Sequence, residues 1–395
     1  MNKILFRNVR IVDANKDFKN DLLVSDGLIS RIDKNIKIED EENINIIDGN
    51  GYILMPSFID LHTHLRDPGL TQKEDLETGQ KAALKGGFTV LCPMANTKPV
   101  CDNKEVMEYV LNKSKNLDLC DIKQVCAITK NLDGQEMIDI KSMRKYTDLF
   151  SDDGYTLFNE QIMEEVLKLS SELDFKVLTH CQPEYEIVSR DLKLIKKIGG
   201  NLHICHISLE DTLNEIKKYK DEGYKFTCEV GPHHIYGYGL DYKVNPSFAE
   251  EEDMKSLIQG IKDGYIDMIG TDHAPHTEDD KKNGSPGISN IEVAFSMVNK
   301  VFKENNISLN KLSEMMSANP AKLLGLNQGL IEEGLRADLV LIDENKEDTI
   351  NVNKFISKGK NNPFHNQKIK GKVIMTIRDG KIAYKTEGDI QCIRY

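Results

Sequence analysis

The segment IDLHTHLRDPG, Ile59 to Gly69, ends an apolar run with two histidines one residue apart and an arginine two positions beyond them. Side chains alternate between the faces of a strand, so His62 and His64 point to the same side and can grip one metal ion between them. An imidazole pair alone is weak evidence. It strengthens downstream, because eight of the ten histidines (His62, His64, His180, His206, His233, His234, His273 and His276) and the acids Asp152, Asp153 and Asp272 stand at the ends of apolar runs. Histidines scattered over a surface would not choose strand ends so consistently, and imidazole with carboxylate is a donor set for a divalent transition ion.

The individual positions carry different weights. Asp153 in FSDDG can bridge two ions with one oxygen on each, and Asp152 is its rival in the same turn. His180 in VLTHCQ and His206 in CHIS would serve a second ion. Asp272 in GTDHAPH can bind the first ion and move a proton, since a carboxylate touching an activated water can act as base and then as acid. Alternation sets His203 on the opposite face and deeper, and makes Cys181 and Cys205 packing residues that point away from the site. His233 and His234 in GPHH read equally as partners of a ligand or as turn residues.

What must position these groups is visible as rhythm. Eight apolar runs (SFIDLHTH, FTVLCPMANT, IKQVCAITK, YTDLFSDDG, FKVLTHC, NLHICHIS, KFTCEVGPHH and IDMIGTDHAPH) alternate with segments of helical spacing such as KEVMEYVLNKSKN and NEQIMEEVLKLSSEL. That pattern predicts an α/β fold, a (β/α)8 TIM barrel over residues 56–333, whose chemistry lies at the C-terminal ends of the strands. Residues 1–55 and 334–395 alternate with period two and contain the hairpin signals Asp26-Gly27 and Asp379-Gly380. They predict one small β-sandwich-like domain built from both chain ends. The loop TEDDKKNGSPG, Thr277 to Gly287, follows the eighth run and either covers the site or is simply solvated.

The 395 residues are 39% hydrophobic, with a net charge of -12, which argues against nucleic-acid binding, where a basic surface is needed to displace counterions. No apolar run is long enough to span a membrane, and the expected location is the cytoplasm. The eight cysteines lack paired spacing and are expected to be reduced and mostly buried.

Taken in order, HTHLRDPG, PMANT, FSDDG, THC, CHIS, EVGPHH, TDHAPH and GLIEEGLRADLVLID closely resemble the dihydroorotases, in particular the bacterial class I enzymes of the amidohydrolase superfamily. Many amidohydrolases bridge their metals with a carboxylated lysine; this chain offers Asp153, as the class I enzymes do. The resemblance implies two zinc ions, one held by His62, His64, Asp153 and Asp272, the other by Asp153, His180 and His206, with a bridging hydroxide and Asp272 as general acid and base. It implies the reversible, zinc-dependent cyclisation of N-carbamoyl-L-aspartate to (S)-dihydroorotate in pyrimidine (UMP) biosynthesis. Arg66, Asn96 and His276 match positions that hold the substrate carboxylate, and Asn245, Pro286 and Gly287 match ring contacts. A homodimer and association with aspartate carbamoyltransferase are further expectations of the resemblance. Two alternatives stand beside this reading: another cyclic amidase, such as a dihydropyrimidinase (hydantoinase) or allantoinase, and a non-catalytic relative that partners aspartate carbamoyltransferase.

Overall fold

Both Asp-Gly pairs form the turns their residue types favour. Asp26 and Gly27 have φ of 53° and 81°, Asp379 and Gly380 of 50° and 68°. Two consecutive left-handed residues match the right-handed twist of the strands they join, here Asp17–Ser25 to Leu28–Asp33 and Lys368–Arg378 to Lys381–Lys385. The two turns, from opposite ends of the chain, meet through Ala337, whose N–H donates to the Gly27 carbonyl (2.8 Å) and whose carbonyl accepts from Gly380 N–H (3.1 Å). A Cβ on Gly380 would fall 2.8 Å from Gly27 Cα, so the close approach requires glycine.

The computed structural model describes residues 3–38 and 44–386, together with the backbone of Cys392–Ile393. Strands from both ends share one nine-stranded sheet, in which Lys3–Val12 pairs with Asp17–Ser25 along one edge and with Ile44–Asp48 and Ile53–Pro56 along the other. Phe6, Ile11, Leu22, Leu54, Leu339, Leu341 and Ile377 make its core.

The middle of the chain supplies eight strands, one in or beside each apolar run: β1 (Phe58–Thr63), β2 (Phe88–Pro93), β3 (Asp121–Ile122), β4 (Leu149–Phe150), β5 (Lys176–Thr179), β6 (Leu202–Ile204), β7 (Thr227–Val230) and β8 (Met268–Ile269). All neighbours are parallel, in one sheet of β1 to β3 and another of β4 to β8. Single parallel bridges, Cys126 to Phe150 and Thr63 to His273, join the two sheets at both seams. Leu61, Cys92, Val125, Leu149, Leu178, Cys205 and Met268 form one buried cluster drawn from both sheets. On the outer side Phe58 packs against Phe88 and Phe295, at 5.5 and 5.6 Å between centroids. Helices follow most strands; the first, Leu76–Gly86, starts on an Asp75 cap and stops at the left-handed Gly87. Between β3 and β4 there are only the 3-10 turn Lys130–Leu132 and the single α-helical turn Ile140–Met143, because NLDGQEMIDIKSMRKYT lacks a sustained helical period and turns at Gly134, φ 70°.

The seam between β8 and β1 matters most to the site. Asp60 Oδ1 accepts from Thr271 N–H (2.9 Å) and His62 N–H (3.2 Å), and Asp60 Oδ2 from the Thr271 hydroxyl (2.5 Å). One fully buried carboxyl, pushed up to about 7 by desolvation, thus ties the strand ends that carry His62 and Asp272. Asp60→Ala should strand these donors and lower the unfolding free energy by about 2–4 kcal/mol. The readout is a lower urea midpoint; an unchanged midpoint would mean that the backbone bridges alone hold the seam.

Candidate metal centre and carboxylate pocket

One extra residue at the end of β1 sets up the opening motif: Asp60 pairs with Leu91 but Thr63 with Pro93. Beyond this shift His62 and His64 turn the same way, their Nε2 atoms 3.6 and 3.0 Å from Asp272 Oδ1. Asp153 lies at the centre. Its Oδ2 is 3.2 Å from His62 Nε2, 3.4 Å from His180 Nδ1 and 3.6 Å from His206 Nε2, while Oδ1 is 3.3 Å from His64 Nε2. The six side chains predicted as ligands therefore converge, and all are buried. Asp152 does not compete: its carboxylate accepts from the N–H groups of Ile128 and Thr129 and from the Thr129 hydroxyl, holding the β3–β4 connection. Gly154, φ 93°, completes the turn, and a Cβ there would strike the Asn96 amide at 2.4 Å.

The donor set fits a metal. His62, His64 and Asp272, and likewise His62, Asp153 and His206, bring ligand atoms within 4.8 Å of one another. His62 Nε2 and Asp153 Oδ2 are buried and lack a hydrogen-bond partner. At His62 and His64 the other ring nitrogen is already engaged: Nδ1 of His62 lies 2.8 Å from Glu229 Oε1, and Nδ1 of His64 lies 2.9 Å from Asn96 Oδ1. Carboxylate and amide oxygens only accept, so each Nδ1–H donates outward and Nε2 is the ring atom directed at Asp153 and Asp272, the one a metal would take. Burial would push the Asp153 carboxyl up, but the imidazoles of His62, His180 and His206 outweigh it and hold the group well below the usual carboxylate range. Asp272 is lowered too, burial being outweighed chiefly by His64 and His62.

Beside this centre sits a buried cation. Arg66 is buried, with left-handed backbone (φ 60°); its Nε lies 3.4 Å from the Pro275 carbonyl and its Nη2 3.3 Å from His276 Nε2. No carboxylate forms an ion pair with it among the described residues, and burial lowers its pKa to about 10. His276 is pushed to about 3 by burial and by the charges of Arg66 and Lys73, so it is neutral. Asn96 and Asn245, expected at the substrate, touch predicted ligands: Asn96 meets His64 as above, and Asn245 Nδ2 lies 2.9 Å from His180 Nε2. Gly287 is buried behind His276, its carbonyl accepting from Lys281 Nζ and Asn361 Nδ2 (each 3.0 Å), whereas Pro286 is exposed. The loop at Thr277 carries a short helix, Glu278–Lys282, and is pinned by Lys281 to the Lys243, Ser285 and Gly287 carbonyls.

Strand alternation misplaces two residues. Cys205 lies in the interior cluster, within ligand distance of His62 and Glu229, and does not point away from the site; Cys181 does pack outside. His203, on the same parity, faces Glu229 rather than the opposite side. The reason is that β6 ends at Ile204 and His206 takes φ of 31°, so the rule for extended chain no longer applies. The Cys205 thiol, raised to about 12 by burial, stays protonated. His233 and His234 are buried at the start of Pro232–Tyr236: His233 Nδ1 meets Asn290 Nδ2 (3.3 Å), and His234 Nε2 donates to the Pro246 carbonyl (3.1 Å), next to Asn245. Glu229 escaped sequence reasoning; its place two residues before GPHH in the EVGPHH motif was the only signal.

The amidohydrolase family model matches residues 53–383. A dihydroorotase of Clostridium botulinum is 46% identical over 97% of this chain and 100% of its own length, and one of Aquifex aeolicus is 37% identical over 98% and 100%. Among solved structures, L-hydantoinase (dihydropyrimidinase) from Arthrobacter aurescens superposes with a TM-score of 0.89 at 22% identity, covering 98% of this chain and 97% of that one. D-hydantoinase (dihydropyrimidinase) from Thermus sp. gives 0.85 at 23%, covering 97% and 96%. At that identity the hydantoinases show the shared TIM-barrel-type α/β fold. The chain belongs to the amidohydrolase family and, within it, to the dihydroorotases.

Proposed function

We propose that this protein interconverts N-carbamoyl-L-aspartate and (S)-dihydroorotate, a step on the route to pyrimidines, on a pair of zinc ions held by His62, His64, Asp153, His180, His206 and Asp272. The observation that carries the reading is Asp153, one buried carboxylate facing four imidazoles, with the unpaired, buried guanidinium of Arg66 nearby. The two bridges at the sheet seams support a closed (β/α)8 barrel over 56–333, and the branched sheet at Lys3–Val12 supports a small sandwich-like domain of 1–55 and 334–395. A homodimer in the cytoplasm, with association to aspartate carbamoyltransferase, is part of the same proposal; no helix among the described residues is long and apolar enough to cross a membrane.

When bound, the metal pair supplies Lewis-acid polarisation of the amide carbonyl and acidifies a water. The chain's own residues do the rest. Arg66 binds the substrate carboxylate that takes no part in bond making, through two parallel N–H···O bonds, and neutral His276 stands beside it as a further hydrogen-bonding group. That anion relieves the cost of an unpaired buried cation, so binding is selective for a substrate with a carboxylate at this place. Asp272, in contact with His64, takes the proton of the attacking water and hands it to the ring nitrogen that leaves; in the biosynthetic direction it deprotonates the ureido nitrogen. Asn96 and Asn245 hold the outer nitrogens of His64 and His180 and so keep the ligands in register. Pro286 and Gly287 edge the ring pocket.

Three outcomes are expected. The purified, zinc-loaded protein turns over dihydroorotate, loses activity on chelation and regains it with zinc, whereas hydantoin and allantoin, which lack the carboxylate, are poor substrates. Turnover of those controls but not of dihydroorotate would replace this reading with another cyclic amidase. Arg66→Lys keeps the charge but loses the planar fork, and should lower kcat/KM for dihydroorotate about 10- to 100-fold, mainly through KM. Asp272→Asn should lower kcat by about 10²- to 10⁴-fold; a variant with normal kcat would remove Asp272 from the proton transfer.

A further inference from the structure

Beneath the centre a line of polar side chains runs into the barrel. Thr227 Oγ1 lies 2.8 Å from His203 Nδ1, His203 Nε2 is 3.2 Å from Glu229 Oε2, and Glu229 Oε1 is 2.8 Å from His62 Nδ1. His203 and Glu229 are almost wholly buried, at 1% and 0% exposure, so no solvent screens them. Gly270 makes room: a Cβ there would lie 2.1 Å from Glu229 Oε2. A carboxylate only accepts, so His62 Nδ1–H donates to Glu229 Oε1, while His203 Nε2 stands at ion-pair distance from Glu229 Oε2 without closing a hydrogen bond and its Nδ1 is engaged by the Thr227 hydroxyl.

From this geometry we infer that Glu229 and His203 are a buried positioning pair that fixes the tautomer and orientation of His62 and, through a fixed negative charge behind it, strengthens it as a metal ligand. The inference rests on His62 being a ligand as proposed above. Glu229 and His203 touch no reacting atom and act through His62.

The test measures the dissociation constant of Co(II) by competition with a chromophoric chelator, and the visible absorption of the Co(II) form, for the full chain and three variants. Glu229→Gln keeps the shape and removes the charge, and should weaken Co(II) about 10- to 100-fold with a changed absorption band. His203→Leu should weaken it as well, while His203→Gln, which retains an N–H donor toward Glu229, should recover most of the loss. A general packing defect would instead lower the urea midpoints of the metal-free proteins together, without that order. Wild-type affinity and spectrum in both Glu229→Gln and His203→Leu would overturn the positioning role alone. A wild-type chain that binds no Co(II) would overturn it together with the metal-centre reading. If Glu229→Gln fails to fold, the two His203 variants decide.

Discussion

A carboxylate with no access to water must be matched by positive charge or metal, and at Asp153 that requirement organises the protein. Its two oxygens face imidazoles from β1 and from the ends of β5 and β6, with Asp272 across the β8 seam. Bringing these side chains from so many strands to one point needs a parallel sheet curved around a common axis, with its chemistry at one end. It also needs local departures from regular backbone: the register shift in β1 and the left-handed residues Arg66, His206 and Asp272. Such conformations cost energy and persist where the surroundings impose them. Here Asp60, the packed strand cluster and the outer hydrogen bonds to Glu229, Asn96 and Asn245 supply that constraint.

A second constraint is the charge of Arg66. The protein carries a net charge of -12, yet this guanidinium beside the centre is buried without an ion-pair partner among the described residues. Neutral His276 leaves the cation for an incoming anion, and the pinned loop from Thr277 to Gly287 backs it. Under the proposed function this cation is what a ring without a carboxylate, such as hydantoin, does not engage. The likeness to hydantoinases is one of fold.

Much of this was legible in the sequence because the signals were local. Alternation, helical spacing and Asp-Gly turns depend on neighbours in the chain, so strand order, the hairpins and the convergence of His62 with His64 could be read directly. The bridging choice between Asp153 and Asp152 could not, since it turns on which carboxylate the N–H groups of Ile128 and Thr129 claim. Cys205 and His203 were misread because His206, the residue from which alternation was counted, lies beyond the end of β6 with φ of 31°. Glu229 was invisible for another reason: its meaning comes from contacts with His62 and His203, far away or unremarkable in sequence. The contacts of Asn96 and Asn245 with His64 and His180 are likewise tertiary facts.

The most direct measurement is anomalous diffraction from crystals of the zinc-loaded protein, recorded on both sides of the zinc absorption edge. The expected map has two zinc peaks flanking Asp153, one among His62, His64 and Asp272 and the other among His180 and His206, each about 2.0–2.2 Å from its ligand atoms. A single peak, or none, with the Asp153 oxygens bound to no more than one ion, would contradict the bridging role on which the proposed chemistry depends.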